Sequence, residues 1–345
     1  LDTFFRAIDA LSTNQQVAAA FDSLMPISGA AHTTMSSRAA VFQASQAAGR
    51  LEELRSGVSG FSFSGLDIIE REFSHDYGRR SILLTTSGDD LQGMISNEPD
   101  PRWGVFARGS LILGDQKSTS EQKGYDFKNS GLTLGMDYRF ARRIVAGAMF
   151  GYSNSRSFLN DAGSKVAMEG FAASLYGSVF GEALFGDFQL SCGWNRYDNT
   201  RRIIFPGIDR MAVSSPSGSQ ISAYGGTGYN FKKGNWTLGP TLSFQYLRLQ
   251  VDDYTETGAG ALNLHVDRNN IKSLLGSAGG QVSWRWEEDD IRLLPGLWAA
   301  WRHEFADTDQ TLLAALAQTG SAFSVSAPGM ESNYIAAGAG MSVQW

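Results

Sequence analysis

The sequence predicts an all-β fold, a transmembrane antiparallel β-barrel, and three observations predict it. From Trp103 onward, apolar residues recur at every second position through ten segments. The positions between them carry Gly, Ser, Thr, Gln, Asn or charge. The connections between segments alternate short and long. A strand turns successive side chains to opposite faces, so the first observation makes strands with one greasy face each. The second gives the other face the character of a wet, crowded interior. The third is how outer-membrane barrels are built, with short periplasmic turns and longer external loops.

Composition narrows the class by exclusion. The chain has 345 residues, with 42% hydrophobic and 19% charged residues and a mean hydropathy of −0.20. No run of about eighteen apolar residues occurs, which excludes a transmembrane helix but not a barrel, whose strands need only ~9–11 residues. Glycine is frequent at 39 residues and proline sparse at 8, so this is no disordered Pro/Gly tract. The single cysteine, Cys192, excludes an internal disulfide framework and a cysteine-built metal site. A formal net charge of −6 with interspersed signs argues against nucleic acid as the main partner. The opening "LDTFFRAIDA" has neither an initiator Met nor a basic-then-apolar leader and reads as cut from a longer precursor.

Residues 1–57 form the first region, a helical one. "NQQVAAAFDSLMP" and "TTMSSRAAVFQASQAAGRLEELR" are rich in good helix formers. Ser36 or Ser37 suits the cap of the second segment, and Gly57 follows its end. Its apolar positions, Ala40, Val41, Ala44, Ala47, Ala48, Leu51 and Leu54, are small and sparse. So thin a stripe suits a narrow, polar surrounding better than a domain core. Residues 58–101 read as an irregular, mixed-charge connector with an apolar patch at Ile82–Leu84.

Residues 102–345 are the barrel. Its segments fall near 102–114, 124–140, 143–157, 164–180, 184–198, 218–231, 235–251, 270–286, 290–305 and 332–345. In "GLTLGMDYRF", Leu132, Leu134, Met136, Tyr138 and Phe140 share one face, and Gly131, Thr133, Gly135, Asp137 and Arg139 the other. Tight turns lie at 141–143, 181–183, 232–235 and 287–290, and longer loops near 115–123, 158–163, 199–217, 252–269 and 306–331. The first strand therefore starts at the periplasmic edge. The charged residues expected on the lumen face are Arg108, Asp137, Arg139, Glu169, Asp187, Arg285, Arg302 and Glu304. On the helical segment, Arg50, Glu52, Glu53 and Arg55 are the groups expected to pair with them. Met341, Val343 and the terminal Trp345 resemble the C-terminal sorting signal of outer-membrane proteins.

From Trp103 onward the chain resembles the β-domain of monomeric autotransporters, the type V secretion translocators. "WGVFARG" resembles their opening strand, and "GLTLGMDYRF" with "VAGAMFGYSNS" their second and third. In "GPTLSFQYLRLQVDDYTETGAGALNLHV", Thr255, Glu256 and Gly258 occupy the family's TE-x-G positions, and "LLPGLWAAWRHEF" is similar to a late strand. The resemblance implies a twelve-stranded barrel in the Gram-negative outer membrane, with a helix through its lumen leading to an exported passenger. It also implies the barrel assembly machinery and periplasmic chaperones as partners, outer-membrane lipid as surroundings, and no cofactor. One departure is visible. Ten strands are counted, and "FSVSAPGMESNYIAAGAGMSVQW" resembles the family's tenth strand, not its last. Truncation, a ten-stranded barrel and an overlooked pair (Ser81–Thr86 with a segment in 199–217 or 306–331) all stay open. About twenty residues of helix span ~30 Å, the hydrocarbon thickness, which suits segment 36–56 for the lumen.

Catalytic motifs are not found. His32, His75, His265 and His303 have no metal-ligand spacing, and "HEF" at 303–305 lacks a second His. "GFSFSG" and "GSAGG" are not nucleophile elbows. Gly225, Gly226 and Gly228 precede no helix and so form no phosphate loop. The segment 36–57 contains no Asn, so cleavage at an Asn–Asn bond in the lumen has no matching residues. The reading is a non-enzymatic outer-membrane translocator. Its rivals are a porin-like channel and a soluble β-rich enzyme or adhesin domain.

Overall fold

A computed structural model describes residues 2–26, 28–56, 60–63, 71–73, 80–84, 102–116, 125–159, 163–288, 291–306, 310–320, 322–327 and 332–344. Three helices lead: α1 (Asp2–Asp9), α2 (Asn14–Leu24) and α3 (Ser28–Ser56). Thr13 caps α2, its side chain accepting from the Gln16 amide, as an N-cap threonine does. Three short connector strands follow: β1 (Gly60–Phe63), β2 (Arg71–Phe73) and β3 (Arg80–Leu84).

Ten long strands make the wall. They are β4 (Trp103–Gln116), β5 (Tyr125–Ala141), β6 (Ile144–Leu159), β7 (Lys165–Phe180), β8 (Leu184–Phe205), β10 (Ser217–Tyr229), β12 (Trp236–Val251), β15 (Asn269–Trp284), β17 (Ile291–Glu304) and β20 (Asn333–Gln344). Each pairs antiparallel with the next of the ten. The shorter strands β9 (Ile208–Ser214), β11 (Phe231–Lys233), β13 (Tyr254–Thr255), β14 (Leu264–Val266), β16 (Trp286–Glu288), β18 (Gln310–Leu316) and β19 (Ala322–Ala327) extend the turns and loops. β9 folds back on the far end of β8, while β13, β14, β18 and β19 form a separate small sheet from two long loops.

All ten expected strand segments are present, nine of them within a few residues of the sequence boundaries, while β8 runs seven residues past its expected end at 198, to Phe205. Among the described residues the overlooked pair is not found in the wall. Residues 81–84 of Ser81–Thr86 belong to β3, on the edge of β4; residues 85 and 86 lie outside the described residues. The extra strands in 199–217 and 306–331 are β9, β18 and β19, which add to the long-loop end. Among the described residues β4 and β20 do not pair with each other. The outer edge of β4 carries β1 in parallel, Gly60 opposite Gly104, and that of β20 carries β2, Glu72 opposite Ala336.

Polarity is inverted relative to a water-soluble core. Leu134, Leu175, Leu190, Ile221 and Leu297 are exposed on the outside, Leu175 to 61% and Leu190 to 59%. Arg50, Asp137, Gln189, Asn195 and Gln220 are buried. Such an outside is costly in water and favourable in hydrocarbon, while the antiparallel pairing of successive strands satisfies the backbone between them. Aromatic rows bound the greasy band. Tyr152, Phe171 and Trp194 align in one row near the long-loop side. At the short-turn side Trp103 meets Tyr138, Tyr138 meets Phe140, and Trp236 lies opposite Trp284.

Candidate functional site

Helix α3 runs inside the wall. From residue 31 to residue 55, every side chain but that of Glu52 is buried or half-buried. A tube surrounds a helix on all sides, so α3 needs no broad apolar stripe. It needs small residues and polar groups that match the wall. The helix starts at Ser28, not at Ser36 or Ser37. Ser36 lies in its interior and turns its hydroxyl to the Tyr197 hydroxyl, 2.5 Å away, which is why it reads as a cap in sequence yet caps nothing.

The two halves of α3 are held differently. Near its start the contacts are neutral. His32 lies 2.9 Å from the Asn199 amide oxygen and packs tilted against the Tyr197 ring, with ring centres 4.1 Å apart. Asn195 donates to Ser36 and to Gln220, and Met35 and Ala39 pack on Val166, Met168, Leu249 and Ile271.

Near its end the contacts are ionic. The Arg50 guanidinium donates to both oxygens of Asp137, at 2.7 and 3.2 Å, and Tyr176 donates to the same carboxylate at 3.0 Å. Arg108 of β4 donates to Glu53 at 2.6 Å and to the Gln46 carbonyl at 3.1 Å. Arg55 donates to Asp187 at 2.6 and 2.8 Å and lies 4.0 Å from the centre of the Phe185 ring. Arg139 donates to the Leu54 carbonyl at 2.8 Å, putting a cation at the helix C-terminus, where the macrodipole favours it. These bonds require close approach. A Cβ on Gly104 would overlap the Asp137 and Arg50 side chains, and one on Gly49 would lie 2.5 Å from Arg108 Nη1.

The structure therefore brings Arg108, Asp137, Arg139 and Asp187 of the wall together with Arg50, Glu53 and Arg55 of the helix. Other expected lumen residues lie elsewhere. Glu169 is exposed on the outward face of β7, opposite Arg196 and Asn154 and one row above the aromatic line. The even-numbered residues of β7 are the inward ones, so its large lumen polar group is Tyr176, with Ser174 and Ser178 on the same face. Arg285 sits exposed at the short-turn end, 4.0 Å from Glu287. Glu52 is the exposed residue of the buried helical stretch. Arg302 and Glu304 keep inward parity but serve the wall: Arg302 lies over Trp298, and Glu304 accepts from Ser273 Oγ and the Leu274 amide, both at 2.6 Å. His303 stacks on Trp301 and lies 2.9 Å from Asn333 Oδ1. The side chains of Met341 and Val343, and all of Trp345, lie outside the described residues, as do Asp289 and Asp290 of the last tight turn. Tyr176, Gln46 and the Ser36–Tyr197–Asn195 group were not anticipated. Inward parity of a large polar side chain, read strand by strand, is the signal that would have found the wall members.

The helix also has a direction. His32 meets Asn199, toward the long-loop end of β8, whereas Arg55 meets Asp187, three residues after that strand begins at the short-turn end. α3 thus enters from the long-loop side and leaves at the short-turn side.

A greasy exterior, a polar interior and a helix fixed lengthwise within it define an integral outer-membrane β-barrel with an occupied lumen. A family model described as "Autotransporter beta-domain" matches residues 105–345, and the chain belongs to that family, as an outer-membrane translocator domain. Among curated relatives, Esterase EstA of Pseudomonas aeruginosa is 26% identical over 221 residues, which cover 62% of this chain and 33% of EstA. Outer membrane protein A of Rickettsia conorii is 27% identical over 241 residues, 67% of this chain and 12% of that protein. The chain spans a third or less of the length of these relatives. The solved translocator domain of the autotransporter NalP from Neisseria meningitidis shares the fold, with a TM-score of 0.52 at 15% identity over 93% of this chain and 100% of that one.

Proposed function

We propose that this chain anchors its own N-terminal passenger in the outer membrane and conducts it to the cell surface, with α3 left in the lumen as the last exported stretch. The observation that carries this is the direction of α3. A chain that begins at the long-loop side and re-enters the wall from the short-turn side has passed lengthwise through the barrel. In this reading residues 1–57 are the exported and lumen segment, 58–101 the connector, and 102–345 the membrane barrel. Arg108, Asp137, Arg139 and Asp187 hold the helix through Arg50, Glu53, Arg55 and the Leu54 carbonyl. The barrel itself performs no catalysis, and any activity, such as the esterase activity in EstA's name, belongs to a passenger. The barrel assembly machinery and periplasmic chaperones, implied by the family, insert it through the C-terminal strand.

Fusing a reporter ahead of Leu1 and testing its access to external protease in intact cells decides the matter. The expected result is a reporter cut from outside. A reporter that stays protected while the barrel is correctly inserted overturns the reading.

A further inference from the structure

Above the membrane the described residues hold a second, separately built polar site, at the point where α2 gives way to α3. Its centre is Arg201, on the part of β8 that continues past the wall and pairs with β9. Arg201 is 1% exposed. A guanidinium has five N–H donors, and here the acceptors come from one long loop and the end of α2. Nε donates to Glu256 Oε1 at 2.9 Å, and one Nη2 hydrogen to the other oxygen of the same carboxylate. Nη2 also donates to the Leu262 carbonyl at 2.9 Å. Nη1 donates to the Ser23 and Leu24 carbonyls, at 3.1 and 3.2 Å.

Ser23 and Leu24 close α2, so these are carbonyls that a helix end leaves without intrahelical partners. A buried cation placed there satisfies two of them and meets the negative end of the helix dipole. Glu256 balances the charge, and its second oxygen accepts the Leu264 amide at 2.9 Å. The loop bearing Glu256 is itself fixed to β9. Thr257 and Val213 exchange both backbone hydrogen bonds, and Gly258, at φ +97, passes so close to Met211 that a Cβ would lie 2.6 Å from its carbonyl oxygen. Around this centre Ala7 and Ala20 of the two leading helices are buried against Ile203, Phe205, Ile208, Ala212, Ala259 and Leu262.

We propose that Arg201 and Glu256 form an exit clamp, a binding site at the outer mouth of the barrel for the C-terminal carbonyls of an exported helix. This rests on the export reading above and adds what happens when export ends. Because the clamp reads main-chain carbonyls and a small apolar helix face, it holds whatever short helix precedes the lumen segment. It holds α1 and α2 on the β8–β9 hairpin and gives the passenger a folded base directly above the pore.

The test uses the full chain refolded in detergent micelles and reads chymotrypsin cleavage after Phe21. Cleavage within a helix needs local opening, so its rate reports undocking. Arg201→Gln and Glu256→Gln are expected to raise that rate tenfold or more, with heat-dependent gel migration of the barrel retained. The double variant Arg201→Met with Glu256→Leu removes the pair together and leaves no lone buried charge, so it keeps the test decisive if a single variant does not fold. It is expected to release the helices equally. Cleavage at the unaltered rate in the variants that fold overturns the clamp. No export step enters this assay, so its failure is distinct from protection of the reporter in the display experiment.

Discussion

Asp137 receives three donor atoms in a site that excludes water: two from Arg50 and one from Tyr176. Arg50 is fully buried, so the pair's value lies less in its attraction than in what its rupture leaves behind. Asp137→Ala removes the forked partner of a buried guanidinium, with Glu53 still 3.4 Å from Nη1. The expected loss is about 3 kcal/mol, the lower end for breaking a buried pair. Arg50→Leu combined with Asp137→Leu should cost less, because no charge is stranded. Equilibrium urea unfolding of the chain in lipid vesicles measures both, and an Asp137→Ala variant as stable as the parent removes this pair from the helix-holding set. Asp137 was legible in the sequence because it alternates with Leu134, Met136 and Tyr138. Glu169 was misread because β7 carries Ala and Gly on both faces near it, and the row Tyr152–Phe171–Trp194 identifies the outward parity.

At the scale of elements, the ten strands were legible because period-two alternation is a local property, visible in each strand alone. The helix was legible as a helix but not in its extent. Ser36 and Ser37 look like a start only if one assumes a helix with a solvent face, and α3 has none between residues 31 and 55 apart from Glu52. Its partners were half legible: charge on the wall predicts charge on the helix, whereas the neutral contacts of His32 and Ser36 depend on which rows of β8 come level with which helical turn. Nor does alternation reveal that the long loops build a sheet of their own and dock α1 and α2. Enclosure of α3 makes it a plug. Deleting residues 1–57 is expected to raise single-channel conductance in planar bilayers well above that of the intact chain. Equal conductance with and without the segment favours an open, porin-like channel instead.

For the whole molecule, the decisive quantity is which solvent meets the outer face. From Val179 to Phe171 of β7, eight steps along the strand, the outward side chains are apolar or glycine. That is ~27 Å measured along the strand at ~3.4 Å per residue, of the order of the apolar band of an outer-membrane barrel. The next row outward is Asn154, Glu169 and Arg196, so charge returns where hydrocarbon ends. Leu190 lies in the middle of this band on β8, six residues from the strand's start at Leu184, and is 59% exposed. Placing Arg there should destabilise the folded barrel in bilayers by about 2–4 kcal/mol, whereas an extra charge in the row of Glu169 should cost about 0–1 kcal/mol. A soluble sandwich makes the opposite prediction, since an arginine at a water-exposed leucine changes stability little. Reversible unfolding of Leu190→Arg and Asn154→Arg in vesicles separates the two cases. A depth-dependent cost fixes the outer face in lipid; equal, small costs at both positions place it in water and with it overturn the membrane reading of every strand in the wall.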